Sequence, residues 1–584
     1  MSDSEVVSDG TSPAAATVLP SGARQLEANA IGVVQDTVIG MASSAPAASV
    51  GLTLAALVAA VAYGTGPIII LTAIPMLVIA NAYRRLNLWN VNCGASYEWV
   101  GRAIDPSLGF LTGWLMIAGY VIATVSGVEV LGPSVLAVFG SSSTNTWGNI
   151  GIATAVGLAM LVLAVIGIRI TARTQVGIAV IEYVILIGFA IVGIYAVAAH
   201  WHGTFHWSSS WLSPTGISGG GGDAVAGFLI AVFIFTGWDG AVYVNEEVKQ
   251  RRRNPGRAAL LAVALLAVIY TISFVGLQGA VRPAQLQANA ASALVYVAQA
   301  LGGSGWAKVM ALALALSVIA TTGTGIVLTA RIVFSMARDR VLPAPLAQIS
   351  GRYATPVTAS IVVGVLIIGL AWVYLLATSV ENAFNDVVDV SGILFAVFYI
   401  LTALATITYY RRLVAAGLGN AVVLGILPLA AAGFLGWIVV KSLLAAPSGQ
   451  LWSLVGIVAV GIVLLGFARF VERSQFFQLS REQYQPEAAA ETVPAAETTP
   501  EADTQPAAET TPEAETETQA EAETQPEAET TPEAETETQA EAETQPEAEM
   551  TSEAETTPVA ETQQPEAETQ PEAETPPEAE TPES

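Results

Sequence analysis

Residues 233–240 read Phe233-Ile234-Phe235-Thr236-Gly237-Trp238-Asp239-Gly240, inside an apolar run over 223–247. A helix needs about 20 apolar residues to cross a bilayer, and this run is long enough. Yet two glycines flank a carboxylate in the middle of it. Glycine weakens a helix interior and aspartate favours helix ends, so the pattern predicts a span that crosses in two pieces. In lipid every backbone polar group must find a partner, so such a break is tolerated only beside protein or a water-filled cavity. A second break lies near the N-terminus, at Gly40-Met41-Ala42-Ser43-Ser44-Ala45-Pro46. Pro46 has no N–H for a helix interior, and the small side chains before it let a ligand approach the backbone.

Outward from these breaks, twelve apolar runs are candidate spans: 33–60, 65–83, 108–138, 148–168, 174–198, 223–247, 257–279, 305–337, 356–377, 386–409, 420–441 and 451–472. The breaks fall in the first and sixth, at corresponding places. Paired interruptions of this kind point to a transporter site near the membrane midplane. Broken ends can offer N–H groups to a carboxylate and C=O groups to an ammonium. An amino acid carries both charges on one carbon. Taken singly, each break also reads as a packing kink.

Charge placement supports the count. With the N-terminus inside, nineteen Lys and Arg fall in the cytoplasmic hairpins and after the last span, against Arg282, Lys308 and Lys441 opposite. This positive-inside pattern predicts a multi-pass plasma-membrane protein with both termini cytoplasmic.

The chain is 53% hydrophobic and 12% charged, against about 25% charged in globular proteins. That excludes a soluble enzyme with a solvated surface. The net charge of -26 belongs to one region: residues 485–584 hold 30 of the 49 acidic residues and no Lys or Arg. They are built from Pro-Glu-Ala-Glu-Thr units, and 511–530 recur at 531–550 with one difference, Thr530 against Met550. Such a stretch lacks hydrophobic period and repels itself, which predicts disorder. It reads as a solvated spacer or as a docking tail. Residues 1–29 are small and polar, a disordered cytoplasmic arm without the pattern of a signal peptide. The organisation expected is therefore an arm over 1–29, a transporter domain over 30–474, and a linker with acidic tail over 475–584. One cysteine, Cys93, and three histidines within 200–206 leave no disulfide framework and no metal centre. No cofactor is expected. No phosphate-binding loop, nucleic-acid face or catalytic set is present, so neither an ATPase, a nucleic-acid partner nor an enzyme is expected.

Three motifs in order resemble a known family. Gly94-Ala95-Ser96-Tyr97-Glu98-Trp99 with Gly109-Phe110-Leu111-Thr112-Gly113-Trp114 is similar to the second-to-third-helix signature of the amino acid–polyamine–organocation (APC) superfamily. Phe235-Thr236-Gly237-Trp238-Asp239, then Asn245-Glu246-Glu247-Val248-Lys249 and Asn254-Pro255-Gly256-Arg257, resembles its sixth-helix signature. Arg331, Met336-Ala337-Arg338-Asp339-Arg340-Val341-Leu342-Pro343 and Thr355-Pro356 resemble the end of its eighth helix and the start of the ninth. The resemblance covers 31–474. It implies an all-α integral membrane fold of twelve transmembrane helices, a five-plus-five inverted repeat with two appended. It also implies secondary transport of amino acids or related amines by alternating access. Where many members read Gly-x-Gly-Ile, this chain has Gly40-Met41-Ala42-Ser43-Ser44, whose hydroxyls replace bare backbone.

The substrate-binding residues expected are Gly40, Met41, Ala42, Ser43, Ser44, Phe235, Thr236, Gly237 and Asp239, with Phe233 as an aromatic lid or a packing residue. Asp239 reads as a cap on the following half-helix or as a gating or protonation group. Glu182, a lone carboxylate in the fifth span, is a coupling candidate by default; otherwise it is a neutral acid bonded to a neighbouring helix. Its place is similar to that of a lysine in proton-coupled relatives. Glu246 and Glu247, beside Lys249 and Arg251, read as an inner gate or a solvated helix end. Glu129, Asp386 and Asp389 read as water-facing, and Tyr120 as a candidate lining residue. The partners expected are a small-molecule substrate, a coupling proton and the lipid bilayer. An exchanger, or a transporter-fold receptor or scaffold acting through the tail, is the alternative.

Overall fold

Ala45 adopts a left-handed backbone at φ 46°, and Pro46 opens a new helix directly after it. These two residues divide the first membrane segment into α1 (Val33–Ser43) and α2 (Pro46–Val61). Proline suits a first helical position because its missing N–H would be unpaired there anyway. The computed structural model describes residues 25–141, 145–199, 201, 209–213, 223–377 and 380–478. Most of the N-terminal arm and all of the acidic tail lie outside the described residues, and so do the expectations made for them.

The chain continues as α3 (Thr65–Trp89), α4 (Ser96–Ala103), α5 (Pro106–Ser126), α6 (Val128–Val138), α7 (Thr146–Ile166) and α8 (Ile168–Ala198). The sixth segment is α9 (Ala224–Ile234) and α10 (Gly240–Tyr243), followed by α11 (Asn254–Gln278). After short helices over 283–288 and 293–302 come α12 (Ser304–Arg338), α13 (Val357–Ala377), α14 (Val380–Tyr409), α15 (Leu427–Ala445) and α16 (Ser448–Gly466). Several starts are capped as the sequence requires. Asp105 accepts from the Ser107 and Leu108 amides ahead of Pro106, and Asp223 accepts from Val225 and Ala226, which satisfies orphan donors of the first turn.

Among the described residues, eleven helical segments are long and apolar enough to cross a membrane. The sixth of the twelve expected is missing from that set because it is cut: neither Ala224–Ile234 nor Gly240–Tyr243 spans alone. The described residues form no strand beyond one isolated parallel bridge, Ile31 to Val248.

Burial separates a central layer from an outer one. The most apolar windows of Ser304–Arg338, Val33–Val61 and Asp389–Tyr409 are 78%, 72% and 72% buried, against 17% for Ser448–Val471. The broken first segment is therefore a core element, which the backbone rule for membranes demands. The outer helices turn aliphatic faces outward, as with Val180, Ile181 and Val184 on α8, while Glu182 on the same helix is fully buried. Where α8 crosses α11 the backbones nearly touch: a Cβ on Gly193 would lie 2.3 Å from the Gly276 carbonyl oxygen. Small residues permit such approach between membrane helices.

Candidate functional site

The two breaks lie back to back. Gly237 has φ +100°, and a Cβ there would lie 2.5 Å from the Ser43 carbonyl oxygen. One on Gly40 would lie 2.8 Å from the Trp238 carbonyl oxygen, and one on Gly240 3.3 Å from Ser43 Oγ. Gly40, Ser43, Ser44, Gly237 and Trp238 thus meet at one point. Met41, Ala42, Phe235 and Thr236 are buried beside them. Phe233 is half-buried and stands instead near Gly392 of α14, whose Cβ would be 3.7 Å from its own.

Every donor at the start of α2 already has an acceptor. Pro46 has none to give. The Ala47 N–H donates to Glu182 Oε1 at 2.9 Å, the Ala48 N–H to Ser317 Oγ at 3.2 Å and the Ser49 N–H to the Ala45 carbonyl at 2.7 Å. The Ser44 and Ala45 amides close onto Met41 and Ala42. The free N–H groups expected at this break are therefore taken by side chains from distant helices, because a buried amide left unpaired is costly. The carbonyls are engaged too: Thr321 Oγ1 donates to Ala42 O at 2.9 Å, and Ser49 Oγ and the Tyr270 hydroxyl both donate to Ser44 O.

Glu182 reaches this break from α8. Its Oε1 holds Ala47, while its Oε2 is buried without a hydrogen bond. Ser317 and Thr321, four apart and so on one face of α12, serve α2 and α1 in turn. Neither was singled out in the sequence; two hydroxyls at helical spacing in an apolar run are the signal that existed.

Asp239 does not cap the half-helix behind it. Its carboxylate accepts from the Tyr243 hydroxyl and, at 2.7 Å, from the Tyr399 hydroxyl. Its backbone is helical at φ -67° and ψ -12°, not extended as at the caps Asp105 and Asp223, so the carboxylate turns to two phenols, one from a neighbouring turn and one from α14. Trp238 stacks on Tyr399 with ring centroids 5.3 Å apart, and Tyr120 meets Tyr243 edge-on at 5.6 Å. Tyr120 thus lines the second break. Asp36, buried on α1 with both oxygens unbonded, was missed. Its sequence signal is weaker than that of Glu182, since an acid beside Gln35 and Thr37 in a first helical turn reads as an ordinary helix start.

At the arginine-rich end, Glu247 and Arg331 form a fully buried bidentate pair, Nε to Oε2 at 2.9 Å and a terminal nitrogen to Oε1 at 3.1 Å. Glu246 pairs likewise with Arg338 at 2.9 and 3.0 Å, and accepts from the Cys93 amide. The partners come from α12, not from Lys249 or Arg251 nearby in sequence. The segment before α1 joins in: the Ala30 and Ile31 amides donate to Glu247 O, and the Lys249 amide to Ile31 O. Beyond the end of α12, burial and the neighbouring Glu98 push the Asp339 carboxyl up to about 7, although the Tyr97 hydroxyl donates to it at 2.9 Å. Of the acids read as water-facing, Glu129 is half-buried and accepts from the Tyr374 hydroxyl at 2.8 Å, and Asp389 accepts from Gln450. The Asp386 side chain lies outside the described residues. Among the described residues no group of His, Cys, Asp and Glu is placed to hold a metal ion.

A multi-pass bundle whose first and sixth membrane segments break against each other is the build of a membrane transporter. Residues 33–467 match the amino acid permease family, and the chain belongs to that family. It is 32% identical over 152 residues to Asc-type amino acid transporter 1 of Homo sapiens, covering 26% of this chain and 28% of that protein. It is 26% identical over 297 residues to the vacuolar cationic amino acid transporter 4 of Arabidopsis thaliana, 48% of each chain. Against the D-serine/D-alanine/glycine transporter of Escherichia coli (strain K12) it is 22% identical over 342 residues, 57% of this chain and 70% of that one. The match thus spans little more than a quarter of the human relative and about half of the plant one. The fold is similar to that of the Eremococcus coleocola manganese transporter, with TM-score 0.50, 13% identity and 76% and 95% of the two chains covered.

Proposed function

We propose that this chain moves an amino acid or a related amine across the plasma membrane by alternating access, with a proton coupled through Glu182. The substrate lies at the two breaks, against Gly40–Ser44 and Phe235–Asp239. Both termini are cytoplasmic, and Glu246 and Glu247 close the cytoplasmic side through their arginines. Family membership supports the substrate class. The single observation that carries the coupling is the hydrogen bond from the Ala47 amide to Glu182 at 2.9 Å. It joins the lone carboxylate of α8 to the break itself, so a change of charge on Glu182 is felt where substrate binds. Buried acids facing a membrane-protein interior serve as proton relays.

The test is radiolabelled uptake into liposomes with an imposed pH gradient, wild type beside Glu182→Gln. The variant mimics the protonated acid permanently. Gradient-driven accumulation should stop, while exchange between pools on the two sides persists because it moves no net proton. Undiminished accumulation in the variant would remove Glu182 as the coupling group and turn attention to Asp239.

A further inference from the structure

The start of α2 is fully occupied. Its first-turn amides are the donors a substrate carboxylate would need, and a carboxylate already sits on one of them: Glu182 Oε1, 2.9 Å from the Ala47 nitrogen. Its other oxygen is buried and unbonded. Glu182 is therefore held by the Ala47 amide and the neighbouring Ser317 hydroxyl, in the place and with the chemistry of an anionic ligand at a helix N-terminus.

We propose that Glu182 is an internal stand-in for the substrate carboxylate, and that the two compete for the same amides. This rests on the transport reading above and deepens it. Two carboxylates cannot share one helix start while both are charged, since like charges at that distance repel strongly in a dry interior. Substrate carboxylate enters when Glu182 takes a proton and releases Ala47; when substrate leaves, the acid ionises and returns. The proton and the substrate carboxylate are thus bound together, which gives symport a structural cause. Glu182 is a specificity-determining residue on the same grounds, because an amine without a carboxylate has no need to displace it.

The groups around Glu182 leave it free to act this way. Tyr183 of its own helix and Tyr270 of α11 are the titratable neighbours that interact with it, and the Ser317 hydroxyl of α12 stands beside it. On the helices packed against α8, Arg331 and Arg338 are held by Glu247 and Glu246, and Lys308 lies beside Gly140. Asp36 is the acid of α1, and α2 and α7 carry no charged residue.

The experiment compares matched ligands on the purified full chain in lipid nanodiscs, from mildly acidic to mildly alkaline pH. The pairs are L-alanine with ethylamine, L-serine with ethanolamine and L-ornithine with putrescine. Each amine lacks only the carboxylate. For the pair that binds, amino acid affinity should fall about tenfold per pH unit on the alkaline side of the Glu182 titration, while its amine shows no such loss. In Glu182→Gln the amino acid should become pH-independent. Equal pH dependence in both members of a pair, or amines that bind where no amino acid does, overturns the competition and leaves transport intact. Binding of no member of any pair, by folded protein, overturns the transport reading as well. Wild type alone decides the first comparison, so a variant that fails to fold does not rescue the idea.

Discussion

Glu247 and Arg331 show how much a single pair of side chains can carry. Both are fully buried and joined by two hydrogen bonds. Removing one partner from such a pair costs about 3–5 kcal/mol, because the other charge is left buried and alone. Glu247→Gln should therefore lower thermal stability sharply, and Glu247→Gln with Arg331→Met should recover most of it. Thermal unfolding of the three proteins in one detergent measures this; a double variant no more stable than the single would show that the charge is not the cause. The sequence made Glu182 legible, since an acid without a nearby base in an apolar run is rare and costly. Asp36 was less so, because it sits beside Gln35 and Thr37 in the first turn of α1. The tyrosines that hold Asp239 were not, because an aromatic residue in a span reads first as packing, and only the fold brings Tyr399 across 160 positions to it.

For the elements, local chemistry located the breaks and tertiary packing decided what they became. Pro46 and Gly237 announce where helices stop, by a missing donor and by a backbone angle that side chains avoid. The sequence could not show that the broken ends would be filled, because the filling groups are 135 and 269 positions away. Gly237→Ala tests the contact. Its methyl would require a strained φ and would overlap the Ser43 carbonyl. The variant should lose substrate binding while its helical circular dichroism stays that of wild type. Ala42→Trp should behave alike, since Ala42 is almost fully buried at the same point. Unchanged affinity in Gly237→Ala would remove the second break from the site.

Over the described residues, hydropathy located eleven segments, two of them with one end about six residues short (65–83 against Thr65–Trp89, 174–198 against Ile168–Ala198). The sixth differed in kind: a span cut in two falls below the length that lets it cross. Charge segregation belongs to this scale too, for the acidic tail dominates the net charge and contributes nothing to the bundle's hydropathy pattern. Truncation after residue 484 should leave the uptake rate and the thermal midpoint of the membrane domain as in the full chain. A lost or halved rate would favour a protein that works through its tail.

Asn245 to Lys249 gather many bonds at the arginine-rich end: two arginine pairs, the contacts of Asn245 with Asn87 and the Asn92 carbonyl, the Cys93 amide and the two-way bridge to Ile31. Bonds that converge on five consecutive residues cannot yield singly, since shifting any one of those residues pulls on all the rest. If Glu246 and Glu247 are the proposed gate, passage through this end is a toggle rather than a gradual widening, and a half-open pore that would leak ions has no resting state to occupy.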